Sequence, residues 1–82
     1  MTGKTVEYTV LFSSIDDVTI AIVPEMPGCM SEGETVAEAL ENIRDALEAC
    51  LEYLRDEGRD IPKPRSYAMT KVTVSLPDGI EV

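Results

Sequence analysis

The 82-residue sequence predicts an α+β domain in which one long helix packs on one face of a mixed β-sheet. Three observations support this prediction. Apolar and polar residues alternate in three separate segments, which is the pattern of strands with one buried face. One longer segment instead has apolar residues at spacings of three and four, which indicates an amphipathic helix. Turn and capping residues lie between these segments, and the predicted order of elements is βββαβ.

The predicted extended segments are residues 5–12, 17–23 and 71–76, with a short piece around Cys29 and Met30. The segment SSIDD, residues 13–17, is rich in Ser and Asp and predicts the hairpin turn between the first two strands. We expect the apolar face of each strand to lie under the helix. The residues of that face are Val6, Tyr8, Val10, Phe12, Val18, Ile20, Ile22, Val72, Val74 and Leu76.

The predicted helix runs from Thr35 to Glu57. Thr35 and Glu38 match a capping box, in which the threonine hydroxyl accepts a hydrogen bond from the Glu38 amide and the Glu38 carboxylate reaches back. Gly58 is expected to end the helix, because the residue after the last turn usually has a positive φ, and Pro62 prevents the helix from resuming. The apolar stripe expected to face the sheet consists of Val36, Leu40, Ile43, Leu47, Cys50, Leu51 and Leu54.

All residues, 1–82, are assigned to this one domain. If the last strand lies parallel beside the first, a right-handed crossover gives the strand order 3-2-1-4. The face away from the helix then carries Thr5, Glu7, Thr9, Thr19, Thr73 and Ser75, with Leu11, Ala21 and Val23 among them. That face is either solvated or a packing surface between copies. Because so short a chain builds a core of little net stability, we expect a homodimer or a higher homo-oligomer.

Sixteen acidic residues against seven basic ones give a formal net charge of −9. The basic residues are scattered along the chain, so the charge disfavours direct binding of nucleic acid and favours a basic protein partner. No signal-peptide pattern and no apolar run of membrane-spanning length is present, and the expected location is the cytoplasm. Two cysteines, Cys29 and Cys50, without any histidine suit neither a disulfide framework nor the usual zinc site. We expect both to be buried and to pack as small apolar side chains.

Three stretches in one order carry a family resemblance: PEMPGCMSEGETVAEAL at residues 24–40, NIRDALEACLEYLRDEG at 42–58 and IPKP at 61–64. Their combined pattern resembles the HicB-type antitoxin family in its short, stand-alone form. The resemblance implies a partial ribonuclease-H-like fold. It also implies an antitoxin of a type II toxin–antitoxin system, which binds and silences a small basic HicA-type ribonuclease toxin.

Two surfaces are candidates for contact with such a toxin. The loop with Pro24 and Pro27 either presents a stiff exposed edge, since proline lacks the donor that extends a sheet, or only leads the chain from strand to helix. The acidic stripe of the helix is either a solvated face or a complement to a basic toxin. Its members are Glu38, Glu41, Asp45, Glu48 and Glu52. The toxin-binding candidates are Glu25, Met26, Gly28, Met30, Glu32, Glu41, Glu48 and Glu52.

The sequence offers no catalytic residue, metal site or cofactor site. Ribonuclease-H enzymes hold metal ions with clustered carboxylates, whereas the first predicted strand supplies only Glu7, the last supplies none, and Asp16 and Asp17 lie in the predicted turn. Histidine is absent, and no phosphate-binding glycine loop follows a strand. Many HicB-type proteins carry a DNA-binding domain after this one, but residues 71–82 contain no such element, so we expect no nucleic-acid binding by this chain alone. The expected role is non-enzymatic, and the alternative to an antitoxin is a toxin-free oligomeric scaffold or ligand-binding domain.

Overall fold

A computed structural model describes residues 3–82 and contains three strands followed by one helix. The elements are β1 (Leu11–Ile15), β2 (Val18–Ile22), β3 (Met30–Gly33) and α1 (Val36–Asp56). Both strand pairs are antiparallel, the sheet order is β1-β2-β3, and α1 covers one face of the sheet. The α+β class, the βββα order and the helix on one face are therefore confirmed.

The β1–β2 hairpin turns at two aspartates. Asp16 and Asp17 have φ values of 49° and 65°, and Ile15 pairs directly with Val18 across them. A two-residue turn with positive φ at both positions matches the right-handed twist of a hairpin, and aspartate tolerates this backbone conformation better than most residues. The turn is thus shorter than the predicted SSIDD segment, and both strands reach it.

The first strand begins at Leu11 rather than at Thr5 as predicted. Leu11 pairs with Ile22, which is the last residue of β2, so the residues before Leu11 have no neighbour in the sheet. The chain after Ile22 cannot extend the ladder, because the Val23 amide donates to the Cys29 carbonyl and Pro24 has no amide hydrogen. Residues 5–10 consequently lie outside the sheet, and we call them the N-terminal segment.

The face of β2 that lies under the helix is the opposite of the predicted one. The buried side chains are those of Thr19, Ala21 and Val23, whereas Val18, Ile20 and Ile22 lie on the outer face. Small residues decide this choice, because the helix approaches the sheet closely. A Cβ atom on Gly33 would lie 2.6 Å from the backbone nitrogen of Ala39. Ala21 and Ala39 are fully buried at this contact.

Local residues define both ends of α1, as predicted. Thr35 has extended backbone and its Oγ1 accepts from the Glu38 amide at 3.1 Å, while the Glu38 carboxylate accepts from the Glu34 amide at 3.1 Å. At the other end, Gly58 has φ of 67° and its amide donates to the Arg55 carbonyl. The Arg59 amide donates to the Leu54 carbonyl at 2.8 Å. Together these two hydrogen bonds form a Schellman motif.

The core lies between the helix, the inner face of the sheet and the loop that joins β2 to β3. Its buried apolar residues are Ala21, Val23, Met26, Cys29, Ala39 and Ile43. Tyr8 and Val10 of the N-terminal segment pack against this core, as do the helix residues Ala46, Leu47, Cys50, Leu51 and Leu54. The predicted inward face of the first apolar segment is thus confirmed for Tyr8 and Val10.

The predicted fourth strand is absent from the described part of the chain. Residues 71–76 belong to no strand, and Val72 and Val74 are 81% and 70% exposed. The chain after Pro64 is exposed throughout and lies outside the three-stranded sheet. Over residues 3–82 the sheet is therefore wholly antiparallel, and the predicted mixed sheet with order 3-2-1-4 is not formed by the single chain.

Candidate partner-binding surfaces

The loop from Val23 to Met30 is compact and internally hydrogen-bonded. The Met26 amide donates to the Val23 carbonyl at 3.0 Å, and the Cys29 amide donates to the Met26 carbonyl at 3.0 Å. Gly28 has φ of 90°, a conformation that glycine adopts readily. The side chains of Met26 and Cys29 point into the core and are 6% and 4% exposed. The expectation of an exposed edge is wrong for Met26, because the loop folds beneath the helix.

Glu25 is a buried anchor rather than a surface residue. It is 4% exposed, and its carboxylate accepts from the Thr9 amide at 3.1 Å, from the Thr9 hydroxyl at 3.0 Å and from the Arg65 amide at 3.2 Å. Burial alone raises the pKa of the carboxyl group. The hydrogen bonds from the amides of Arg65, Glu25 and Thr9 and from the Thr9 hydroxyl outweigh burial, so the pKa is lowered overall.

The Glu25 carboxylate thereby joins three distant parts of the chain. It ties the loop to the N-terminal segment at Thr9 and to the chain beyond the helix at Arg65. The hydroxyl of Tyr8 donates to the Pro62 carbonyl beside it. Burial, and then the negative charge of Glu25, raise the pKa of Tyr8. Glu25 is therefore buried rather than part of an exposed edge, which corrects the expected exposure of this candidate, while its contact with a toxin stays a prediction.

The remaining loop candidates lie on the outer face of the sheet. Met30 pairs with Ile22, and Glu32 pairs with Ile20, so their side chains project away from the helix. Met30 is 58% exposed, and Glu32 and Gly28 are also exposed.

The acidic stripe lies on the opposite side of the molecule. The helical period places it on the face of α1 opposite the buried residues Ala39 and Ile43, and all of its members are exposed. Within residues 3–82 the one salt bridge joins Arg55 to Asp56, so no cation is paired with the stripe. The toxin-binding candidates consequently fall on two opposite surfaces and do not form one patch.

An apolar groove lies beside the stripe and was not predicted from the sequence. It has a volume of about 680 Å³, and we call it the helix groove. One wall is the N-terminal segment, and the floor is the apolar side of α1 with Leu40, Ile43, Leu47 and Leu51. The charged residues at its margins are Glu7, Arg44, Glu48 and Arg65. In the sequence, only the width of the helix's apolar stripe, which is greater than the sheet covers, indicated this groove.

Cys29 and Cys50 are both free thiols, and Cys29 is buried as predicted. Burial, followed by the hydrogen bond with Cys50 and the charge of Cys50, raises the pKa of Cys29 to about 11. The reactive thiolate is therefore scarce at neutral pH.

We expect iodoacetamide at pH 8 to leave Cys29 unmodified in the folded protein and to alkylate it rapidly in denaturant. The raised pKa and the burial of Cys29 both suppress its reaction. Peptide mass spectrometry after timed alkylation measures the rate, and the same residue in urea is the control. Equal rates in the folded and unfolded protein would contradict the buried placement of this thiol.

Residues 3–82 contain no group of three His, Cys, Asp or Glu side chains placed to hold a metal ion. Within the same range, no helix has the length and apolar character required to cross a membrane.

Comparison with known proteins gives a consistent result. A family model described as HicB-like antitoxin of bacterial toxin–antitoxin systems matches residues 8–81. A UPF0150 protein of Thermoplasma acidophilum is 35% identical over 65 residues, which cover 78% of this chain and 94% of the relative. Two UPF0150 proteins of Synechocystis are 40% and 38% identical, covering 68% and 62% of this chain and 72% and 74% of their own lengths. No solved structure matches, so the ribonuclease-H-like label stays a prediction.

Proposed function

Because the chain belongs to the family of HicB-like antitoxins of bacterial toxin–antitoxin systems, we propose that it binds and occludes a small basic HicA-type ribonuclease toxin. It acts in the cytoplasm by covering the toxin's RNA-binding surface and performs no chemistry of its own. The acidic stripe is the observation that supports this proposal. A toxin that binds RNA needs a positively charged surface, and an unpaired row of carboxylates on a rigid helix is complementary to it.

The acidic stripe suits this role better than the outer face of the sheet. Its carboxylates sit on a 21-residue helix whose two ends are capped, so their spacing is held by the backbone. The outer face instead combines one exposed acid, Glu32, with the apolar side chains of Ile15, Ile22 and Met30. We assign Glu41, Glu48 and Glu52 to the toxin contact, with Glu38 and Asp45 as neighbours in the same field.

Charge complementarity of this kind acts mainly on the rate of association and on specificity. Attraction between an acidic helix and a basic toxin accelerates encounter at low ionic strength and is screened within about 8 Å at 0.15 M salt. Once the complex has formed, the toxin stays inactive for as long as its RNA-binding surface remains covered.

The first test is native mass spectrometry of the tagged protein purified from its own cells. The expected result is a complex with a basic chain that the neighbouring reading frame encodes. Recovery of a homo-oligomer alone, reproducibly and at low salt, would instead support the toxin-free scaffold.

We expect the triple variant Glu41→Lys/Glu48→Lys/Glu52→Lys to bind the captured toxin at least about tenfold more slowly at low salt, since steering by charge changes association rates by one or more orders of magnitude. Surface plasmon resonance at two salt concentrations measures the rate. Glu34→Lys/Glu57→Lys/Asp60→Lys is the matched control, because it changes the net charge equally at exposed positions outside the stripe. Equal rates for the two variants would show that net charge, and not the stripe, governs binding.

A further inference from the structure

We propose that residues 66–82, here called the arm, exchange between two copies of this chain, so that residues 71–76 of each copy lie in the helix groove of the other. Residues 71–76 then pair as a β-strand with the N-terminal segment of the other copy. This interface uses the groove and the arm, and the one residue that it shares with the proposed toxin contact is Glu48, at the margin of the groove.

The arm leaves the body of the molecule. The long dimension of the structure is 59 Å, whereas α1 with 21 residues accounts for about 32 Å at the usual rise of 1.5 Å per residue. The chain is held to the body at Arg65, whose amide donates to Glu25, and every residue after it is exposed. Val72, Val74 and Leu76 share one side of the extended arm and are 81%, 70% and 49% exposed. Exposed apolar residues in such a row mark an interaction surface.

The helix groove lacks the strand that the arm would supply. The N-terminal segment belongs to no strand, and among its backbone amides only that of Thr9 donates to another described residue, Glu25. Leu40 on the groove floor is 39% exposed, and Val6 on the wall is 49% exposed. An added strand would pair with the wall through its backbone and place alternate side chains on the apolar floor, as in β-strand addition.

The chemistry of the arm fits this groove. Alternation places Val72, Val74 and Leu76 on one side, while Thr73 and Ser75 face the other. Lys71 is the one charged residue between Ser66 and Leu76, and the margin of the groove carries two acids, Glu7 and Glu48, and two bases, Arg44 and Arg65. The arm therefore brings three apolar side chains to an apolar floor, and Lys71 meets a margin of mixed charge that includes two carboxylates.

A second copy is the occupant, because the chain's own arm is directed away from its own groove. Arg65 lines the groove, yet every residue after it is exposed, so the single chain leaves its own groove unfilled. In a twofold dimer each arm continues outward into the partner's groove, and both grooves are filled at once. The exchange also enlarges an apolar core that has few fully buried residues in the single chain.

Sedimentation velocity of the full chain over a concentration series tests the proposal. The wild type is expected to form a dimer. Val74→Asp on the arm and Leu40→Asp in the groove should each raise the dimer dissociation constant at least about tenfold, because each places a charge in an apolar contact. Val82→Asp is the matched control, since it makes the same change at a fully exposed position beyond the paired segment. It should leave the dissociation constant within about twofold.

Mixing the two defective variants distinguishes exchange from other modes of association. A mixed pair retains one intact contact, between the arm of the Leu40→Asp chain and the groove of the Val74→Asp chain, so dimer should reappear on mixing. Circular dichroism verifies that the helix is retained, and Val6→Asp on the groove wall replaces Leu40→Asp if the latter unfolds.

A monomeric wild type, an unchanged dissociation constant for Val74→Asp, or no recovery on mixing would each overturn the proposal. Weakened toxin binding by Val74→Asp in a monomeric protein would assign the arm to the toxin instead. The toxin-capture test is a separate measurement, so failure of arm exchange does not imply failure of the proposed antitoxin function.

Discussion

Replacing Gly33 with alanine is expected to destabilise the folded protein by about 2–3 kcal/mol, the upper part of the usual range for overpacking a tight contact. The added Cβ would lie 2.6 Å from the Ala39 nitrogen and 3.0 Å from the carbonyl carbon of Glu38. Both atoms belong to the helix backbone and cannot rotate away. The first turn of α1 must therefore move off the sheet, which loosens the contact with Ala21. Urea unfolding followed by circular dichroism at fixed protein concentration measures the change.

Two other glycines separate the steric effect from other consequences of adding a methyl group. Gly3→Ala meets no atom within 4 Å and should change the unfolding free energy by less than about 0.5 kcal/mol. Gly28→Ala also meets open space but has φ of 90°, so we expect a cost of about 1–2 kcal/mol from backbone strain alone. If Gly33→Ala were as stable as Gly3→Ala, the close approach of β3 to the helix would be contradicted.

The sequence predicted the helix well because its ends depend on neighbouring residues. Thr35, Glu38 and Gly58 form their capping contacts with residues a few positions away, so the pattern alone contains the information. The face of β2 could not be predicted in the same way. The run TIAIV is apolar on both sides of the strand, and the choice depends on the distant contact between Gly33 and Ala39.

The candidate surfaces were predicted only in part, and again the difference lies between local and distant contacts. Exposure of the acidic stripe follows from the helical period, which is a local property. Burial of Glu25 does not, since acidic residues are usually exposed and its donors, Thr9 and Arg65, lie 16 and 40 positions away. The segment 71–76 has the alternation of a strand, yet a strand also needs a neighbour, and the single chain provides none.

Replacing Glu25 with glutamine is expected to destabilise the protein by about 2 kcal/mol at pH 7, the usual contribution of hydrogen bonds to a charged group. Glutamine has nearly the same shape, but its amide nitrogen would face the donors of Thr9 and Arg65. The N-terminal segment and the start of the arm should then detach from the loop. Thermal unfolding at matched concentration measures the loss, and Glu32→Gln, at an exposed position, should lie within about 0.5 kcal/mol of the wild type.

The stability difference between wild type and Glu25→Gln should also depend on pH. The pKa of Glu25 is lower in the folded protein than the ordinary glutamate value of 4.5, so the folded state binds fewer protons than the unfolded chain at acidic pH. Its contribution is therefore complete above the unfolded pKa and is lost as pH falls through the folded one. The difference should stay constant from pH 8 to about 6 and shrink from about pH 4.5 downward. The other carboxylates are common to both proteins, so their titration cancels in this difference. A difference that grew on acidification would mean that the charged form of Glu25 destabilises the fold, and it would contradict the role of Glu25 as the anchor of three chain segments.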